Sequence, residues 1–242
     1  SEPDYLSHEE PVEKSVLEKQ GSFADMTAGQ GERLVLGRRI TRLRNFLWRD
    51  ASLSLRPRSY YFDRQRDGAA DSQAWATGGS LDYTSGWLRD RLRLGAALYT
   101  SQKLYGPGDK DGTLLLKNGQ NSFTVLGESY LSARITDQTR LRLYRQDLNL
   151  PYLNRQDNRM VPNTFEAYLL LDIDDPEFNY VAGHVRQMKR RNETAFISMS
   201  EAAGATHTDT GVSMLGARYR FSELSDLGAI NYHGRDVMNI FY

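Results

Sequence analysis

Arginines stand at alternate positions in several short runs of this sequence. Arg56 and Arg58 lie in SLRPRSYY, Arg91 and Arg93 in DRLRLG, and Arg218 and Arg220 in GARYRF, with Arg134 and Arg142 in similar settings. A guanidinium stays charged at any relevant pH and offers paired donors that match a carboxylate. The spacing of two matters because successive side chains of a strand point to opposite faces, so each pair shares a face. In GVSMLGARYRF the other parity holds Leu215, Ala217, Tyr219 and Phe221. Such a run specifies a strand that is basic on one side and oily on the other.

Competing chemistries lack their residues. The four histidines, His8, His184, His207 and His233, are scattered without metal-ligand spacing and read as structural or exposed side chains. There is no cysteine, hence no disulfide framework or thiolate. GDKDGT at 108–113 resembles the start of a calcium loop, but the twelfth position from Asp109 is Gln120 rather than a bidentate Glu. A long extracellular loop is the expectation there. Neither a nucleophile elbow nor a phosphate loop occurs. No cofactor, no metal and no enzymatic activity are expected.

Composition narrows the class further. Lys+Arg and Asp+Glu both number 31, which gives no reason to expect a nucleic-acid partner. No run approaches the ~18 consecutive apolar residues of a spanning helix, a test that leaves a membrane barrel open. The opening SEPDYLSHEE has neither a basic nor an apolar signal region, so any signal peptide is expected to be already removed.

From residue 51 onward, aromatic and β-branched residues, period-two alternation and turn punctuation predict about nine strands. They cover 51–63, 73–83, 90–100, 122–135, 139–146, 165–173, 178–188, 211–221 and 227–242. The third sets Leu92, Leu94, Ala96 and Leu98 against Arg91, Arg93 and Tyr99. The fourth sets Phe123, Val125, Leu131, Ala133 and Ile135 against Thr124, Glu128, Tyr130, Ser132 and Arg134. Longer and shorter links alternate throughout. An up-and-down sheet therefore has one rim of short turns and one of long loops, the asymmetry of outer-membrane barrels. Basic parities would then line a watery lumen and apolar parities face lipid, with Trp75, Tyr83, Trp87, Tyr219 and Phe221 as candidates for the interfacial girdle. Lipid tolerates no open sheet edge, so nine strands read as part of a barrel. The alternative is a soluble all-β ligand-binding module with one wet face.

Several stretches, in order, resemble the OprD-type substrate-specific outer-membrane porins of Gram-negative bacteria: SLSLRPRSYYFDR, LDYTSGW, RMVPNTFEAY, VAGH and LGARYRFSELSDLGAINYHGRDVMNIFY. The resemblance implies an all-β, transmembrane, antiparallel up-and-down barrel of about eighteen strands. This chain would supply the N-terminal half over residues 51–242, with association as a homotrimer possible. It also implies passive uptake of small carboxylate-bearing solutes, amino acids or aromatic acids, along a ladder of basic residues. Arg58, Arg159 and Arg218 fall on the stretches that match most directly. In the family the third long loop folds inward; here that is DLNLPYLNRQDNRMVPN, 147–163, which would bring Tyr152, Arg155, Asp157 and Arg159 to the eyelet. Glu128 and Tyr130 would add a polar counter-face.

Residues 1–50 depart from the pattern. GERLVLGRRITRLRNFLWRD places Leu36, Ile40, Leu43 and Leu47 at helical spacing among Arg38, Arg39, Arg42, Arg44 and Arg49. A surface or partly disordered leader is the first expectation. A helix or extra strand entering the lumen or touching anionic headgroups is the other.

Overall fold

The computed structural model describes residues 35–242 except 69, 173, 206 and 207. The leader reading for 1–34 and the readings of His8 and His207 lie outside these residues. The chain divides at Asn45/Phe46. Residues 35–44 are α-helical and run into a π-helical turn, Asn45–Arg49.

The second unit is one antiparallel sheet of eleven strands. They are β1 Ser52–Arg64, β2 Ser72–Thr84, β3 Leu92–Tyr105, β4 Phe123–Arg134, β5 Arg140–Gln146, β6 Thr164–Asp172, β7 Phe178–Lys189, β8 Phe196–Ser198, β9 Val212–Ser222, β10 Ser225–Gly234 and β11 Met238–Phe241. Each pairs with its sequence neighbour, except that β7 pairs with both β9 and the short β8. Nearest-neighbour pairing is what short antiparallel links produce, and it is an up-and-down order. Among the described residues β1 and β11 are the open edges.

Two strands were not expected. β8 is a three-residue piece inside the long link after β7. The run 227–242 is a hairpin rather than one strand, because it turns at 235–237 with Asp236 at φ 57°. Apolar residues continue across that turn and hide it. Link lengths alternate less regularly than expected. Residues 65–71 and 85–91 are equally long, and the β10–β11 link is short at the long-loop rim.

The two faces of the sheet differ sharply. One parity is bare and oily: Leu53 and Leu55 on β1, Leu92, Leu94 and Leu98 on β3, Leu170 on β6, Leu215 and Phe221 on β9 are all exposed. Opposite each other across strands, Leu55 meets Leu81, Leu94 meets Leu131, and Leu215 meets Asn231 on this side. The other parity is covered. Residues 106–122 and 147–163 pack on it and form two apolar clusters. Leu115, Leu116, Met160 and Val161 join Ala74, Ala76, Tyr99 and Phe123. Leu148 and Leu153 join Phe165, Leu169, Val185, Val212, Ile230 and Tyr232. Burial of this size stabilises by about 1.5–3 kcal/mol per large apolar side chain.

This corrects three expectations. The link 106–122 is not simply external: Thr113, Leu115, Leu116 and Gln120 are buried against the wall. Phe123 and Val125 lie on the covered face, because a register shift at Ala97/Leu98 places Glu128 opposite Ala97 and Leu126 opposite Leu98. The extra residue of such a bulge reverses parity on either side of it. Trp87 is not an outward girdle residue, since its ring lies between the guanidiniums of Arg93 and Arg134, at 4.9 and 4.4 Å.

Candidate functional site

The inward parity collects charge. Pairing registers put Arg56 and Arg58 on the covered face of β1, Arg93 on β3, Arg134 on β4, Arg140 and Arg142 on β5, and Arg218 on β9. The acidic strand residues that the registers place on that face are Asp82, Glu128 and Asp226. Basic side chains thus dominate the wall, and the way they are held decides what they can do.

The centre is where loop 147–163 meets β1. Arg58 makes a two-pronged contact with Asp157: Nη1 donates to Oδ1 at 2.7 Å and Nη2 to Oδ2 at 3.2 Å. Its Nη1 also donates to the carbonyl of Arg159. Arg155 bridges Asp157 and Asp147, both at 3.0 Å, and Arg142 stands 3.9 Å from Asp147. One step along β1, Arg56 grips Asp82 through Nε at 3.1 Å and Nη2 at 2.7 Å, while the Ser80 hydroxyl donates to the same carboxylate. Arg56, Arg58, Ser80, Tyr99, Arg155 and Asp157 line a single crevice closed by Met160 and Pro162.

Three further anchors fix the loop. Lys189, fully buried at the end of β7, donates Nζ to the Pro162 carbonyl at 3.0 Å and to the Arg190 carbonyl at 3.1 Å. Arg191 donates to Gln156 Oε1 at 2.6 Å and to Asn158 Oδ1. The Tyr232 hydroxyl donates to the Pro151 carbonyl. Behind the crevice, Tyr99 donates to Glu128 at 2.5 Å, and both are buried.

The remaining expected site residues are dispersed. Arg159 does not point freely into an eyelet: Nε donates to the Thr113 carbonyl at 3.0 Å, and its guanidinium lies 4.9 Å from the Phe62 ring centre. It therefore ties the two folded-in loops together. Tyr152 stands apart, edge-on to Tyr232 and Tyr242 at 6.0 and 5.9 Å. Tyr130 lies under the Arg142 guanidinium at 4.4 Å, and the missing side chain of Gly95 makes room for its ring. Glu128 faces Tyr99 rather than the loop. Toward the short-turn rim, Arg93 donates to the Ser85 carbonyl at 3.1 Å, and Arg91 reaches Ile135 at 3.5 Å. Arg218 donates to Asn179 at 2.8 Å and lies 3.6 Å from Asp226. Arg220 forms no side-chain ion pair among the described residues.

Sequence reasoning missed Asp82, Asp147, Lys189 and Arg191. Asp82 had a signal, since it shares inward parity with Ser80 once β1 and β2 are paired. The others act through loop geometry that spacing does not carry.

Burial pushes the Asp157 carboxyl up, but the hydrogen bond and charge of Arg58, helped by Arg155 and Arg56, outweigh it and hold the group below its ordinary value. A carboxylate depressed on folding contributes fully above its free value of about 3.9, and that contribution is lost as pH falls through the lowered value. The Arg58–Asp157 contact is therefore expected to hold from neutral pH down to about 4 and to loosen only in stronger acid. A carboxyl NMR titration of Asp157 across a pH series checks this.

Comparison with known proteins bears on the whole arrangement. The family described as outer membrane porin, OprD family, matches residues 45–241. Porin-like protein GalP of Pseudomonas putida is 26% identical over 183 residues, 72% of this chain and 44% of GalP. Porin D of Pseudomonas aeruginosa is 25% identical over 200 residues, 79% of this chain and 44% of that porin. This chain spans less than half the length of either. Among solved structures, P. aeruginosa OccK9 (OpdG) superposes with a TM-score of 0.66 at 28% identity, covering 79% of this chain and 52% of that one. P. aeruginosa OpdK gives 0.66 at 25% identity, covering 79% and 50%. With the oily face bare, the basic face covered and the family match extending over nearly all of the sheet, the chain belongs to the OprD family of outer-membrane porins.

Proposed function

We propose that this chain forms wall and constriction of a channel selective for small carboxylate-bearing solutes, amino acids or aromatic acids, moving passively across the outer membrane. One observation carries the reading. Arg56, Arg58 and Arg155 converge on one crevice between β1 and the folded-in loop, where Arg56 and Arg58 each grip a carboxylate through two nitrogens and Arg155 bridges two carboxylates. Guanidiniums replace part of the water an anion sheds on entering a narrow passage. Their partners Asp82, Asp147 and Asp157 keep the local field moderate, so binding is weak enough for exit. Arg93, Arg134, Arg142 and Arg218 extend the basic wall beyond the crevice.

The test pairs benzoate with benzamide, nearly equal in size and different in charge. In vesicles carrying the protein, benzoate is expected to enter several-fold faster. Arg155→Ala is expected to reduce that preference at least threefold while leaving benzamide flux within twofold. Equal entry of the two solutes through the unaltered protein would reject the carboxylate reading.

A further inference from the structure

The helical segment 35–49 has the surface of a membrane-lying helix. Over the α-helical residues 35–44, at about 100° per residue, Leu36, Ile40 and Leu43 gather in a stripe about 60° wide. Arg38 and Arg42 fall on the opposite side, and Arg39 and Arg44 on the two borders. No acidic residue occurs between 35 and 49. Among the described residues the stripe is not buried: Leu36, Ile40 and Leu43 are 57%, 58% and 50% exposed, and Trp48, in the π-helical turn that follows, is 78% exposed. A helix packed on protein would hide that stripe. A narrow apolar stripe bordered by long basic side chains is the pattern of helices that lie in a headgroup layer, the border arginines reaching up to phosphate along their aliphatic stems.

The end of this segment is fixed at one rim. Within the sheet unit Phe46 is buried, its carbonyl accepts from the Gly86 amide at 2.8 Å, and the Tyr83 hydroxyl donates to the Leu47 carbonyl at 2.7 Å. Tyr83 is the last residue but one of β2 and Gly86 lies in the β2–β3 link, on the short-turn side, which in outer-membrane barrels is periplasmic.

We propose that residues 35–49 bind the periplasmic phospholipid surface, the leucine–isoleucine stripe in the acyl boundary and the arginines on anionic phosphate headgroups. Charge selects lipid over an apolar protein groove, since five arginines without one acid need a dense anionic partner.

Trp48 reports on this directly. With Trp75→Phe and Trp87→Phe it becomes the sole tryptophan of these 242 residues. In nanodiscs whose lipids carry brominated acyl chains, its emission is expected to be quenched by half or more when the lipid is phosphatidylglycerol. Quenching should be several-fold weaker in phosphatidylcholine. Substituting Arg38, Arg39, Arg42 and Arg44 together by Gln should reproduce the weaker value in phosphatidylglycerol. Equal quenching in both lipids overturns the headgroup assignment, and absence of quenching in both overturns lipid binding. Trp48 shielded from aqueous iodide yet untouched by brominated chains would assign the stripe to a protein partner instead. The lipid comparison needs no arginine variant, so a variant that fails to fold leaves the test decisive.

Discussion

On the proposed function, replacing Asp157 with alanine is expected to make the channel flicker to a larger conductance, with the fraction of time spent there rising roughly tenfold. The Arg58–Asp157 contact supplies two charge-assisted hydrogen bonds between side chains that are 35% and 24% exposed. Fully shielded bonds of this kind contribute about 1.5–3 kcal/mol each, and partial exposure to water lowers the net to about 1.5 kcal/mol for the pair. That corresponds to a tenfold change in an equilibrium. The loop does not leave altogether, because Lys189 still holds the Pro162 carbonyl and Met160 and Val161 remain in their cluster. Single-channel recording measures the dwell times. Asp109→Ala, at an exposed position of the neighbouring loop, should leave them unchanged. Identical dwell times in the Asp157 variant would show that the clasp does not position the loop.

The larger effect is expected from Gly78→Ala, which should cut the yield of folded, heat-modifiable barrel at least tenfold. Gly78 sits in β2 at φ 149°, a conformation that side chains strain to adopt, and a Cβ there would stand 2.2 Å from the Thr100 carbonyl oxygen. Backbone strain of about 1–3 kcal/mol adds to an overpacking cost of about 1–3 kcal/mol. Gly78 pairs with Arg58 across β1 and β2, so a disturbance there falls on the strand that carries the clasp. Gly37→Ala, where a Cβ meets nothing within 4 Å, is the matched control. Electrophoresis of unheated samples reads both. Normal yield of the Gly78 variant would show that β2 and β3 can separate locally without loss of the fold.

Legibility in the sequence followed regularity. In β3 as far as Lys103 and in β9 as far as Arg220 alternation runs unbroken, so Leu92 and Leu94 against Arg93, and Leu215 against Arg218, lie on the faces that their spacing predicts. β4 contains a bulge, and no residue type announces one; Phe123 and Val125 therefore came out on the wrong side. The loop 106–122 offered three consecutive leucines, 114–116, a signal for burial that the flanking turn residues masked. The crevice was only half readable. Arg58 and Asp157 each stood out, but they are 99 positions apart, and the contact depends on how loop 147–163 folds back. Lys189 ends an ordinary strand, and only the loop's path past it makes it an anchor.

The occupied state of Arg58 carries a consequence for traffic. On the proposed function, a visiting anion would have to exchange with Asp157 for the same two nitrogens rather than simply add itself to this guanidinium. Each successful exchange frees the aspartate, and with it one of the stays that keep the passage narrow. The visitor thereby loosens its own obstruction, so throughput should climb more steeply than in proportion to concentration until the neighbouring stays set the limit.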